Sequence, residues 1–288
     1  MNKIKIISNF TESRTYFQKM LKENYTWNNF QITDNKYADY YVIINEASKN
    51  VYFDKSKTII LFMEPLIEAQ VKYKKFMDSN KECFFHNING IEWHIKKSYS
   101  ELLQINIVKT KSISTITSGN YTTLYHKKRV HFLPYLDTLD NIDIFGKLNK
   151  SRNKEKKKGN EILTSLKNYK GPLSDKTNGL FQYKYTFASE NYRIENYFTE
   201  KLVDAILSEC LCFYCGCPNI EKFLDSRAYI QIDINKPKEM IEIIKNAIKN
   251  NEWEKRINII KKEKLKILNK LQLFPTIEEI IKKYFKNI

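Results

Sequence analysis

The sequence predicts an α/β chain built as two doubly wound halves, residues 1–110 and 111–265, followed by a helical tail over 266–288. Three observations predict it. Short β-rich runs alternate with helix-like segments, an order that places helices on the faces of a parallel sheet. The 288 residues are 42% hydrophobic and 14% aromatic, enough apolar material to bury a sizeable core. From Lys236 onward the apolar spacing is helical only, with Ile241, Ile244 and Ile248 on one face and Leu265, Leu268 and Leu271 on another.

Taken in order, Lys3 to Ser8 reads as a strand, and Arg14 to Glu23 as a helix with Tyr16, Phe17, Met20 and Leu21 on one side. Ala38 to Asn45 and Lys57 to Met63 are β-rich runs, the second stopped by Glu64-Pro65, after which Leu66 to Met77 reads as a helix. Ser112 to Thr117 is a strand ending in the turn Ser118-Gly119-Asn120, His126 to Leu139 is helical, and Ile142 to Phe145 is a strand closed by Gly146. Lys147 to Gly159, with Lys154, Lys156, Lys157 and Lys158, reads as a solvated loop. A strand at Gln182 to Phe187, a helix at Thr199 to Ser208 and a strand at Ala228 to Ile234 complete the second half. No internal repeat stands out.

Composition narrows the partners. With 49 Lys+Arg against 33 Asp+Glu the formal net charge is +16, which suits nucleic acid, an anionic membrane surface or a phosphate-bearing small molecule. The same excess also arises when lysine simply fills solvated positions, as the Lys, Asn, Ile and Tyr bias suggests. Only 7 glycines exclude glycine-rich linkers and collagen-like repeats. The N-terminal apolar run is too short for a signal peptide, and Ile59 to Met63 is too short to span a bilayer, so a cytoplasmic location is the default expectation. A basic amphipathic tail is compatible with peripheral membrane contact, although core packing is the commoner role of such a stripe. Four of the five cysteines, Cys210, Cys212, Cys215 and Cys217, are spaced closely enough to suggest zinc or an iron–sulfur cluster. Leu211, Phe213 and Tyr214 fill the gaps, however, so the run reads better as a buried strand, whose side chains alternate between faces and would not converge on one ion.

Doubly wound sheets bind ligands at the carboxyl ends of their strands. Glu64, at the end of an apolar run and held by Pro65, is placed to act as a general base. Arg129 and Lys201 fall early in helices near strand ends, where cation and helix dipole both favour a phosphate, and Glu200 is a plausible acceptor for ribose hydroxyls. There is no G-x-G-x-x-G, P-loop or H-E-x-x-H motif.

Three segments in series sharpen this: Tyr183-Lys-Tyr-Thr-Phe-Ala-Ser-Glu-Asn191, Asn196-Tyr-Phe-Thr-Glu-Lys-Leu-Val-Asp-Ala205 and Cys215-Gly-Cys-Pro-Asn-Ile220. The combination resembles the signature of the α1,3/4-fucosyltransferases, glycosyltransferase family 10. Weaker agreement covers Ser118-Gly-Asn120, Arg129 and Ile142 to Gly146, and Phe62-Met-Glu-Pro65 resembles the family's Met-Glu stretch, so the likeness runs over residues 57 to 235. It implies a GT-B architecture, two Rossmann-like domains facing across a cleft, with 1–110 on the acceptor side and 111–265 holding the donor GDP-fucose. Glu64 then matches the base, Arg129 a diphosphate contact, Glu190 and Asn191 a pair near the donor sugar, and Tyr197, Glu200 and Lys201 the donor box. Ser118, Asn120 and Gly216 lie in donor-side turns. The reaction implied is inverting transfer of L-fucose to a glycan hydroxyl with no required cofactor, Mn²⁺ or Mg²⁺ being accessory. Ser189 replaces the family's phenylalanine before Glu-Asn, and a proline usual after the Asn-Ile turn is replaced near Asp225. Another nucleotide sugar, or a non-catalytic basic protein binding nucleic acid or an anionic surface, are the alternative readings.

Overall fold

The structure, a computed structural model, describes residues 1–9, 16–65, 71–87, 90, 92–150 and 154–285. The chain divides into two compact units. The first comprises Met1–Ile91, Lys97–Gln104 and Leu268–Ile288, and the second Glu92–Lys96 and Ile105–Ile267.

The first unit carries a six-stranded sheet of β1 (Asn2–Ser8), β2 (Thr26–Trp27), β3 (Phe30–Ile32), β4 (Tyr40–Ile44), β5 (Thr58–Phe62) and β6 (Phe84–Asn87), in the order β2-β3-β1-β4-β5-β6. All pairs are parallel except β2 with β3. β5 is buried at every position, as a strand covered on both faces must be, and Phe62 stacks on Tyr73 and Phe85. The C-terminal segment, read from sequence as a separate tail, belongs to this unit. Gln272, fully buried, donates to the Met20 carbonyl at 3.1 Å, and Phe274 stacks on Trp27. Its apolar stripe is therefore core rather than a face for a membrane, and among the described residues no helix is long and apolar enough to cross one.

The second unit carries a five-stranded, wholly parallel sheet of β7 (Lys111–Ile116), β8 (Ile142–Phe145), β9 (Tyr183–Ser189), β10 (Leu211–Cys215) and β11 (Tyr229–Gln231), ordered β11-β10-β9-β7-β8. Apart from β2, both sheets order their strands second-first-third-fourth-fifth, a doubly wound topology repeated without a visible sequence repeat. Register sets the strand ends level: Ile116 pairs with Phe145 and Cys215 with Ser189. The turns that follow these strands therefore leave the sheet at one edge. β10 is the cysteine run, fully buried, with all the cysteines free. The Cys210 thiol donates to the Leu180 and Tyr183 carbonyls, each at 3.2 Å, while Cys217 meets Asn219 Oδ1 at 3.0 Å.

Several elements differ from expectation. Where a helix was predicted over Arg14 to Glu23, residues 10–15 lie outside the described set, Tyr16 and Phe17 are helical, and 3₁₀ turns follow at Gln18–Met20 and Glu23–Tyr25. Residues 66–70 of the helix predicted after Pro65 are likewise outside it, and Lys74–Asp78 is helical. The lysine run predicted as a loop enters a helix, Lys154–Ser165. Lysine and glutamate are good helix formers, and among the residues of this helix whose burial is described Gly159 and Leu163 are the buried ones, too few to show as periodicity. Leu265 faces solvent instead of sharing a face with Leu268, because a π-helical turn at Ile267–Leu271 shifts the register after helix Glu252–Lys266.

Candidate functional site

In the second unit the chain runs from β7 to β8 on one side and then crosses to β9 on the other. Connections that diverge in this way leave a crevice at the carboxyl ends of β7 and β9. A cavity of about 550 Å³ lies there. Six of the residues predicted from sequence line it: Ser118 and Asn120 after β7, Arg129, Asn191 after β9, and Glu200 and Lys201.

Arg129 comes from helix Leu124–Leu136, two residues earlier in its start than predicted because Thr123 caps it. Thr123 Oγ1 accepts the His126 backbone N–H at 3.2 Å, and His126 Nδ1 accepts the Thr123 N–H at 3.3 Å. Arg129 therefore sits in the second turn rather than at the helix end, and reaches the site by its length. Its Nη1 donates to Asn191 Oδ1 at 2.9 Å and its Nη2 to Ser118 Oγ at 3.2 Å. Burial pushes the guanidinium down to about 10, against the pull of Glu190 and Glu200, so it remains charged at neutral pH.

His126, which no sequence pattern marked, shares the Asn191 acceptor at 3.0 Å through Nε2. A backbone N–H can only donate, so Nδ1 is unprotonated and the ring hydrogen is on Nε2. Burial and the neighbouring Arg129 push its pKa down to about 4, consistent with a neutral ring.

The other wall is organised by Thr199, the N-cap of helix Glu200–Leu207. Fully buried Glu190 accepts the Thr199 N–H at 2.9 Å, its hydroxyl at 2.6 Å and the Tyr214 hydroxyl at 3.3 Å. Lys201 Nζ lies 3.0 Å from Thr199 Oγ1, 3.3 Å from Glu200 Oε1 and 3.5 Å from Glu190 Oε2. Burial opposes its charge, but Glu190 and Glu200 outweigh burial and raise its pKa. Burial likewise opposes ionisation of Glu200, yet Lys201, Lys176 and His94 hold it well below the usual carboxylate range. Lys176, also missed from sequence, bonds Asp204 at 2.7 Å and approaches Glu200 at 3.6 Å. Lys176 and Lys201 are balanced by Glu190, Glu200 and Asp204, whereas Arg129 is held by neutral Asn191 and Ser118, so the guanidinium is fixed in place to meet an anion without further reorganisation.

Glu92, His94 and Glu200 bring one potential ligand atom each to within 4.8 Å of one another. They fit a divalent cation poorly. Glu200 is already paired with two ammonium groups, and the carboxylates raise the His94 pKa against burial, which favours a proton over a metal.

The remaining predicted residues take other places. Glu190 lies in the wall beneath Lys201. Gly216 packs where a Cβ would collide with the Tyr214 hydroxyl and meet Glu190 Cγ at 2.5 Å. Tyr197 is buried, edge-on to Tyr192 at 6.2 Å, and is not among the residues lining the cavity. Glu64 belongs to the first unit, just past β5, partly exposed and 3.9 Å from Lys72 Nζ. The preceding Met63 N–H is fixed by Asn45 Oδ1 at 2.9 Å.

The segment that builds this wall, residues 107–268, matches the family described as glycosyltransferase family 10 (fucosyltransferase) C-term. The chain belongs to glycosyltransferase family 10. Among curated relatives, GDP-fucose protein O-fucosyltransferase 3 of Xenopus tropicalis is 37% identical over 95 residues, covering 30% of this chain and 20% of the relative. The chain thus matches about a fifth of that protein's length. Among solved structures, an alpha-glucosyltransferase in complex with UDP and a 13-mer DNA superposes with a TM-score of 0.62 at 12% identity, over 98% of this chain and 99% of that one. A glycosyltransferase from Rickettsia africae ESF-5 gives 0.57 at 10% identity, over 99% of both chains. These structural likenesses show the fold alone. They place the family 10 chain among GT-B type α/β proteins.

Proposed function

We propose that the chain is an inverting, α1,3-fucosyltransferase-like glycosyltransferase that moves L-fucose from GDP-fucose to a glycan hydroxyl. One observation carries the reading: two cations, buried Arg129 held by Asn191 and Ser118 and Lys201 ion-paired to Glu190, both line a cavity of about 550 Å³ at the switch point of the family 10 segment. The name of the curated relative supports the choice of GDP-fucose as donor.

In this reading the acceptor oxygen attacks the anomeric carbon from the face opposite the diphosphate. The carbon–oxygen bond to GDP breaks, and the acceptor proton passes to Glu64. Arg129 and Lys201 neutralise the departing diphosphate and Glu200 accepts ribose hydroxyls. Because fixed cations already supply the charge, Mn²⁺ or Mg²⁺ would be accessory, and chelation should leave most of the rate. A thermal-shift panel of nucleotide sugars tests donor and class together. GDP and GDP-fucose should raise the melting temperature while UDP sugars do not; stabilisation by a UDP sugar in their place would assign another donor.

A further inference from the structure

A second cavity of about 240 Å³ opens at the opposite, amino ends of β7 and β9, lined among others by Lys109, Lys111, Lys184 and Tyr185. Lys109 lies two residues before β7, and the N–H groups of the intervening Thr110 and of Lys111, the first residue of β7, are held by the Gln182 carbonyl. Its Nζ turns inward to the Ser208 carbonyl, the Leu180 carbonyl at 3.2 Å and Cys210 Sγ at 3.4 Å. None of these partners is a carboxylate. Cys210 is completely buried, and its sulfur is fixed by the Leu180 and Tyr183 carbonyls. Nothing in the proposed transfer reaction uses this pair.

An amine and a thiol held side by side, the amine on a lysine that also lines a cavity, form a pair that a single oxygen atom can join. We propose that Lys109 and Cys210 are an oxidation-sensitive modification site that closes a covalent Nζ–O–Sγ bridge with dioxygen as oxidant. The neutral amine and the thiol lose one N–H and one S–H bond and gain N–O and O–S bonds. Nitrogen and sulfur each give up two electrons. Dioxygen takes all four as its O–O bond breaks: one oxygen becomes the bridge and the other leaves as water with both hydrogens. Burial shifts both groups in the direction the step needs, lowering the Lys109 pKa and raising that of Cys210. Cys212, Cys215 and Cys217 are internal controls, being equally buried without a lysine hydrogen-bonded to sulfur in the described residues.

Intact-mass and peptide mass spectrometry of the full chain, before and after incubation in oxygen-saturated buffer, tests this without any variant. The expected result is a gain of about 14 Da, one oxygen added and two hydrogens lost, with loss of tryptic cleavage after Lys109 and a peptide linking it to Cys210. A thiol reductant should reverse all three. Lys109→Arg and Cys210→Ser should each abolish the linked peptide. Recovery of Cys210 as free thiol, disulfide or sulfinic acid, with cleavage after Lys109 intact, would overturn the proposal.

Discussion

Asn191 Oδ1 receives hydrogen bonds from both Arg129 and His126, and that shared acceptor makes the neutral ring part of the site's electrostatics. Protonating His126 would place a second cation beside Arg129. The unfolded chain takes up this proton near pH 6.5, whereas the folded ring resists it until about 4. Its folded pKa is thus depressed, so the related stability is complete above pH 6.5 and is lost as pH falls toward 4. Urea unfolding should show wild type losing about 1–3 kcal/mol more over that window than His126→Gln. At Glu64 the expected change is kinetic. If it is the base, Glu64→Gln should lower kcat by about 10²–10⁴-fold while GDP affinity by calorimetry stays unchanged; near wild-type turnover would remove the assignment.

At the scale of elements, the site depends on where helices begin and on what holds their far ends. Thr123 and Thr199 start the two helices that deliver Arg129 and Lys201. Helix Glu200–Leu207 ends at Ser208, and the next residue, Glu209, has positive φ and a buried ion pair to Lys264 at 2.8 Å. That pair joins the end of helix Glu200–Leu207 to helix Glu252–Lys266 one turn before the π-helical shift. Lys264→Ala would leave a buried carboxylate without its main partner, and should cost about 3–5 kcal/mol in denaturant unfolding. A cost below about 1 kcal/mol would mean that water reaches Glu209.

At the scale of the whole molecule, the net charge of +16 and the anion site are separate matters. Exposed lysines attract any polyanion, and that attraction is screened by salt, whereas Arg129, which is buried, and Lys201, ion-paired to buried Glu190, are screened much less. Raising salt from about 50 to 200 mM should remove any duplex DNA association by a factor of about 10³ or more, yet change GDP affinity only a few-fold. Equal losses for the two ligands would make the surface charge, not the cavity, the donor's anchor.

Glu190, Asn191, Glu200, Lys201 and Arg129 were legible in the sequence because motif spacing reflects turns at strand ends, and β7 to β10 were legible because buried parallel strands read as apolar runs. The lysine-rich helix Lys154–Ser165 and the Leu265 register were not, since a charged surface and a one-turn π shift leave little periodic trace. His126, Lys176 and His94 escaped for a different reason. Each is an ordinary polar residue along the chain, and only the β7/β9 switch point brings them to one cavity. The sequence by itself determined the α/β class, the strand runs and the likeness to family 10, because hydrophobic periodicity and motif spacing are local. Tertiary structure alone decided which groups are buried together, and hence which are charged, because desolvation and Coulomb energy depend on distance in space rather than along the chain.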